Sequence, residues 1–112
     1  MIKVAIFKER NYPISSVKVK SRLLEVLKRS GIDYNCSVSL AFVGKRKMEE
    51  LVKKYYKGDP QNLYVHPILT FPYNDKDELG EIIISYDDVD SEKNLLDLVE
   101  HGAMHLIGKH HD

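Results

Sequence analysis

The sequence has a single cysteine, no net charge (17 Lys and Arg against 17 Asp and Glu) and no long apolar run. With Cys36 alone, no disulfide can form within the chain, and a reducing, cytoplasmic compartment is the simplest expectation. No stretch approaches the roughly 20 apolar residues that a transmembrane helix needs, so no membrane partner is expected. The opening residues, MIKVAIFKERN, lack an apolar core followed by a small-residue cleavage site, so no secretory leader is expected. Repeats, linkers and low-complexity segments are also missing. What remains fits one compact domain over residues 1–112. Apolar residues make up 43% and charged residues 30%, the balance of a globular chain with a real core.

The zero net charge hides an asymmetry. Residues 1–58 hold 14 Lys and Arg against 5 Asp and Glu, and residues 59–112 hold 3 against 12. Such a split suits either a surface for nucleic acid or two halves that attract each other.

Hydrophobic spacing predicts the elements. Met1–Phe7 reads as a strand. Ser15 or Ser16 is placed to cap a helix carrying Val19, Leu23, Leu24 and Leu27, which Gly31 ends. Cys36–Val43 reads as a second strand. Met48, Leu51, Val52 and Tyr55 form the apolar stripe of a helix from about Lys45 to Tyr56, with Tyr55 in the core. Residues 61–65 read as loop. Ile68–Phe71 and Ile82–Ile84 read as strands, the latter buried, with Phe71 in the core. A last helix is expected from about Glu92 to Ile107, stopped by Gly108. The fold class is therefore α/β (α+β): a mixed sheet of about four strands with helices, in the order β-α-β-α-β-β-α.

Four of the five histidines fall within the last twelve residues: His101, His105, His110 and His111. His101 and His105 are i, i+4 on the expected helix, so both imidazoles lie on one face, where they can share an ion. If Gly108 turns the chain, His110 or His111 can supply a third ligand. Three neutral imidazoles with one open position make a catalytic Zn²⁺ site. The same donors suit Ni²⁺ or Cu²⁺. The H-x₃-H spacing resembles the zincin helix H-E-x-x-H, but Gly102 stands where that pattern has its general base. Glu100 lies about 100° around the helix from His101.

At this point a family is recognisable. The segment His101-Gly102-Ala103-Met104-His105-Leu106-Ile107-Gly108-Lys109-His110-His111 resembles the H-G-x-L-H-L-x-G-Y-D-H signature of the YbeY family of metal-binding endoribonucleases of rRNA maturation. Ile68-Leu69-Thr70-Phe71-Pro72 resembles its V-L-S-F-P, and Leu79-Gly80-Glu81-Ile82-Ile83-Ile84 its L-G-D-I-x-I. These landmarks cover about residues 48–112. The resemblance implies a zincin-like fold and selects His101, His105 and His111 as ligands. His110 stands where the family usually has Asp, and Tyr56-Lys57 where it has Tyr-Arg. His66-Pro67 replaces its Thr-Asp.

The implied activity is Zn²⁺-assisted cleavage of RNA phosphodiesters, with ribosomal RNA or a ribosomal subunit as partner. His110 is then a candidate for proton transfer and Lys57 for phosphate contact. Lys45, Arg46, Lys47, Lys53, Lys54 and Lys57 are placed to collect the backbone, unless they are simply the wet face of the second helix. One alternative is a metallohydrolase of peptides or esters, which needs a carboxylate such as Glu81 or Asp112 at the ion. Another is a ribosome-associated binding module that keeps the metal only for stability.

Overall fold

A computed structural model describes residues 1–56 and 62–111, the last three by their backbone alone. Its sheet has five strands: β1 (Ile2–Lys8), β2 (Cys36–Val43), β3 (Leu63–Val65), β4 (Ile68–Pro72) and β5 (Glu78–Ser85). Their order across the sheet is β1-β2-β5-β4-β3. The strands β1, β2 and β5 run parallel, while β4 and β3 are antiparallel to their neighbours. The expected mixed α+β sheet is therefore present, with one strand more than expected.

That extra strand, β3, is only three residues long and sits at the sheet edge, joined to β4 by His66-Pro67. It contributes one half-exposed ladder, too little for a hydrophobic period to show in sequence.

Alternation along the strands divides the core between two faces. Val38, Leu40 and Phe42 of β2 join Ile82 and Ile84 of β5 on one face. There they meet α1 (Ser16–Arg29) and α3 (Glu92–His111). Ala41, Val43, Leu69 and Ile83 point to the other face, under α2 (Lys45–Leu51) and its buried Met48. Ile82-Ile83-Ile84 is thus covered from both sides, as its unbroken apolar run predicts.

Caps set the helix starts. The Ser15 side chain accepts from Lys18 N–H, and Ser91 Oγ accepts from Asn94 N–H at 3.0 Å. At α2 the cap Gly44 has no side chain to offer. The carboxylates of Glu9 and Asp87 accept instead from Gly44 and Lys45 N–H, each at 2.7 Å.

Two helices differ from expectation. The second is α-helical only to Leu51 and continues as a π-helical turn over Val52–Tyr56. The i→i+5 turn rotates Tyr55 out of the 3.6-residue stripe. Tyr55 is 39% exposed, not in the core as its spacing implies. The third helix does not stop at Gly108 but runs on to His111. No helix among the described residues is long and apolar enough to cross a membrane.

Candidate metal centre

The site is built on α3. Its inner side, Leu95, Val99, Ala103 and Leu106, is buried against the sheet. Gly102 faces β5 and β4: a Cβ there would lie 2.6 Å from Ile82 Cγ2 and 3.3 Å from Ile68 Cγ2. One flank of α3 is tied to α1. Arg22 pairs with Asp97 and Glu100, both at 3.3 Å, and Arg29 Nη2 lies 3.5 Å from Glu100. Glu100 is thereby engaged by arginines of α1, and it borders a shallow hollow together with His101.

His101 and His105 lie on the opposite flank, about 100–140° around the helix from Glu100. Their rings stack, with centroids 5.3 Å apart and planes 13° from parallel. His101 is exposed and His105 is half-buried. Nε2 of His105 is buried and has no hydrogen-bond partner among the described residues. Burial holds the His105 imidazole below the usual histidine range, and the adjacent His101 adds to the effect. A neutral ring with a buried, unpartnered nitrogen, stacked on a second imidazole, fits a borderline-soft cation such as Zn²⁺.

Lys57 and Asp112 lie outside the described residues. His110 and His111 are described by backbone alone, as the continuation of α3. On a continued helix, position 111 falls about 9 Å further along the axis than His105 and about 120° around it. The turn at Gly108 that would bring a third imidazole back is not formed. Among the described residues no group of three His, Cys, Asp or Glu is arranged to hold a metal. Glu81, on β5 with its side chain on the α2 face, is across the sheet from the histidines. Thr70 is fully buried, and its hydroxyl donates to Leu63 O at 3.4 Å, so it is closed to substrate. Cys36 is buried beneath the sheet end, and burial pushes its thiol pKa up, which makes it inert.

Sequence reasoning missed a group on the far face. Leu51, Tyr55, Phe71, Tyr73, Glu81 and Ile83 line a cleft of about 320 Å³. Tyr73 and Glu81 gave no sequence signal as a pair, because only the β4–β5 hairpin brings them together.

Fold and site define a small α+β protein whose mixed sheet carries, on the helix crossing it, a histidine pair suited to a metal ion. The chain belongs to the YbeY family: the family model described as Endoribonuclease YbeY matches residues 6–112. The match thus reaches well before the landmark segments. Among curated relatives, the Endoribonuclease YbeY of Clostridioides difficile (strain 630) is 28% identical over 109 residues, covering 85% of this chain and 71% of that protein. The Endoribonuclease YbeY of Thermodesulfovibrio yellowstonii is 36% identical over 89 residues, covering 67% of this chain and 54% of that protein. The chain therefore spans between about half and under three quarters of the length of these relatives.

Proposed function

We propose that the protein is a metal-dependent endoribonuclease that hydrolyses phosphodiester bonds of single-stranded RNA, in the cytoplasm and with ribosomal RNA as its substrate. The observation that carries this is the stacked His101–His105 pair, with the buried Nε2 of His105 unpartnered among the described residues. Its place in the family signature and the names of the relatives agree with it.

In this reading His101, His105 and His111 would hold one Zn²⁺. A Zn²⁺ bound there supplies Lewis acidity toward water and a phosphoryl oxygen. His105 contributes a ring that is neutral at physiological pH, so no proton has to leave before it ligates. No carboxylate occupies position 102, and Glu100 is held by Arg22 and Arg29. We assign the proton transfer to His110, on its place in the family signature. Lys57 answers the phosphate charge where the family has Arg, as a point charge without the bidentate fork.

The test is incubation of purified, zinc-loaded protein with a structured ribosomal RNA, with and without chelator, beside His105→Ala. Cleavage is expected, and both chelator and substitution should abolish it. Cleavage that survives both would overturn the zinc site. A folded, zinc-loaded wild type that leaves RNA intact would overturn the hydrolase.

A further inference from the structure

Adjacent residues of β5 point to opposite sides of the sheet. Ile82 lies beneath Gly102 of α3, while Ile83 lines the cleft under α2. This cleft is not part of the histidine site. Its walls are unusual for a small globular domain. Tyr55 and Tyr73 are 39% and 41% exposed, yet both border an apolar floor of Leu51, Phe71 and Ile83. The Tyr55 ring meets Phe71 edge-on, with centroids 5.5 Å apart. At the rim, Tyr73 Oη donates to Glu81 Oε2 at 3.5 Å. Lys54 Nζ sits 5.2 Å from the centroid of the Tyr55 ring, and Lys53 is its exposed neighbour.

Each part matches one part of a nucleotide. Exposed aromatic faces stack a base without regard to sequence. A carboxylate accepts from an exocyclic amino group, as it does from cytosine N4. Two lysines beside the ring answer the phosphate. The volume, about 320 Å³, is at the small end for ligand sites and suits a single base.

We propose that this cleft is a base-binding subsite for single-stranded RNA, on the face of the sheet opposite the histidine pair, that favours bases bearing an exocyclic amino group. The proposal rests on the RNA reading above. Tyr55 and Tyr73 grip the base, Glu81 reads its amino group, and Lys53 and Lys54 hold the adjoining backbone. Uracil offers a carbonyl oxygen where cytosine offers N4–H₂, so it meets the Glu81 carboxylate with like polarity.

Fluorescence anisotropy with labelled oligo(C) and oligo(U), chelator present to prevent cleavage, tests this by binding alone. Wild type should bind oligo(C) about tenfold more tightly than oligo(U). Tyr55→Ala should weaken oligo(C) binding about tenfold, while Tyr55→Phe, which keeps the ring, should leave it near wild type. Glu81→Gln should collapse the preference for C over U. Circular dichroism checks that each variant is folded. If wild type binds but Tyr55→Ala and Tyr73→Ala bind equally well, the subsite is wrong and the RNA reading stands; that is also the result if the cleft receives a protein side chain. If wild type binds neither oligonucleotide, both readings fall together.

Discussion

Gly102 shows at the level of one residue why this helix has no room for the zincin glutamate. The zincin pattern places Glu between its histidines, but here that position is pressed into the sheet. A Cβ would sit 2.6 Å from Ile82 Cγ2, closer than packed carbon atoms tolerate. Gly102→Ala should therefore destabilise the fold by about 1–3 kcal/mol, read as a lower urea midpoint with unchanged slope. Gly102→Glu should cost more, because it also buries a charge, and should yield no peptidase. A midpoint equal to wild type for Gly102→Ala would mean that α3 lifts off β5 freely. The glycine was visible in the sequence, and so was the missing base. Its cause was not, because the register of α3 on β5 is a long-range contact that no local spacing encodes.

The helices show why element boundaries were harder to read than elements. The stripe Met48, Leu51, Val52, Tyr55 marks α2 correctly through Leu51, and the π-helical turn then breaks the period on which the reading depends. In α3 the glycine at 108 has the sequence context of a stop, but no described residue packs within 4 Å of a Cβ placed there and its backbone stays helical. A glycine in an open helical position is a weak point rather than a terminus. This makes Gly108→Ala informative. In the metal-free chain it should stabilise the helix end by up to about 1 kcal/mol. If binding a third histidine requires a left-handed turn at 108, the same change should cost about 1–2 kcal/mol in the bound form; with the gain in the free chain, zinc affinity should weaken by about 1–3 kcal/mol, roughly five- to 150-fold. Calorimetric zinc titration of both proteins decides it, and equal affinities would remove the turn from the mechanism. The packing of α1 on α3 carries its own pH dependence. Hydrogen bonds from Lys93 and Arg22 hold the Asp97 carboxyl below its ordinary range. A lowered folded pKa contributes stability above the unfolded value and loses it as pH falls through the folded one. Arg22→Ala should thus lower Tm slightly at pH 7 and make less difference below about pH 4. A penalty that persists at low pH would point to the packing of the arginine stem instead.

Across the whole molecule, the opposed charges of the two halves hold α1 and α3 together. In α1 they bind the halves together: Lys18 reaches Glu92, Arg22 reaches Asp97 and Glu100, and Arg29 reaches Glu100. Around the start of α2, Lys45, Arg46 and Lys47 border a hollow shared with Glu9, Glu50 and Asp87, so their charge is locally offset. Further along, Lys53 and Lys54 are exposed, and no described residue forms an ion pair with them. Composition could give the imbalance but not this division, which depends on which helix faces which. The histidine helix and the five-strand sheet likewise place the histidine pair and the aromatic cleft on opposite faces, a separation the linear order conceals. The unpaired lysines belong to the surface with the aromatic cleft, and it is there that the salt dependence of RNA binding should originate. For a single strand, every phosphate that a lysine ceases to neutralise should make the slope of log K against log salt shallower by about 0.7. Replacing Lys53 and Lys54 with Gln should therefore reduce it by about 1.4 at most, measured by titrating oligo(C) at several salt concentrations under chelator. Replacing Lys18, already paired with Glu92, should leave the slope nearly unchanged. If the two substitutions change it equally, the backbone track runs over α1 as well, and the cleft is not where RNA is held.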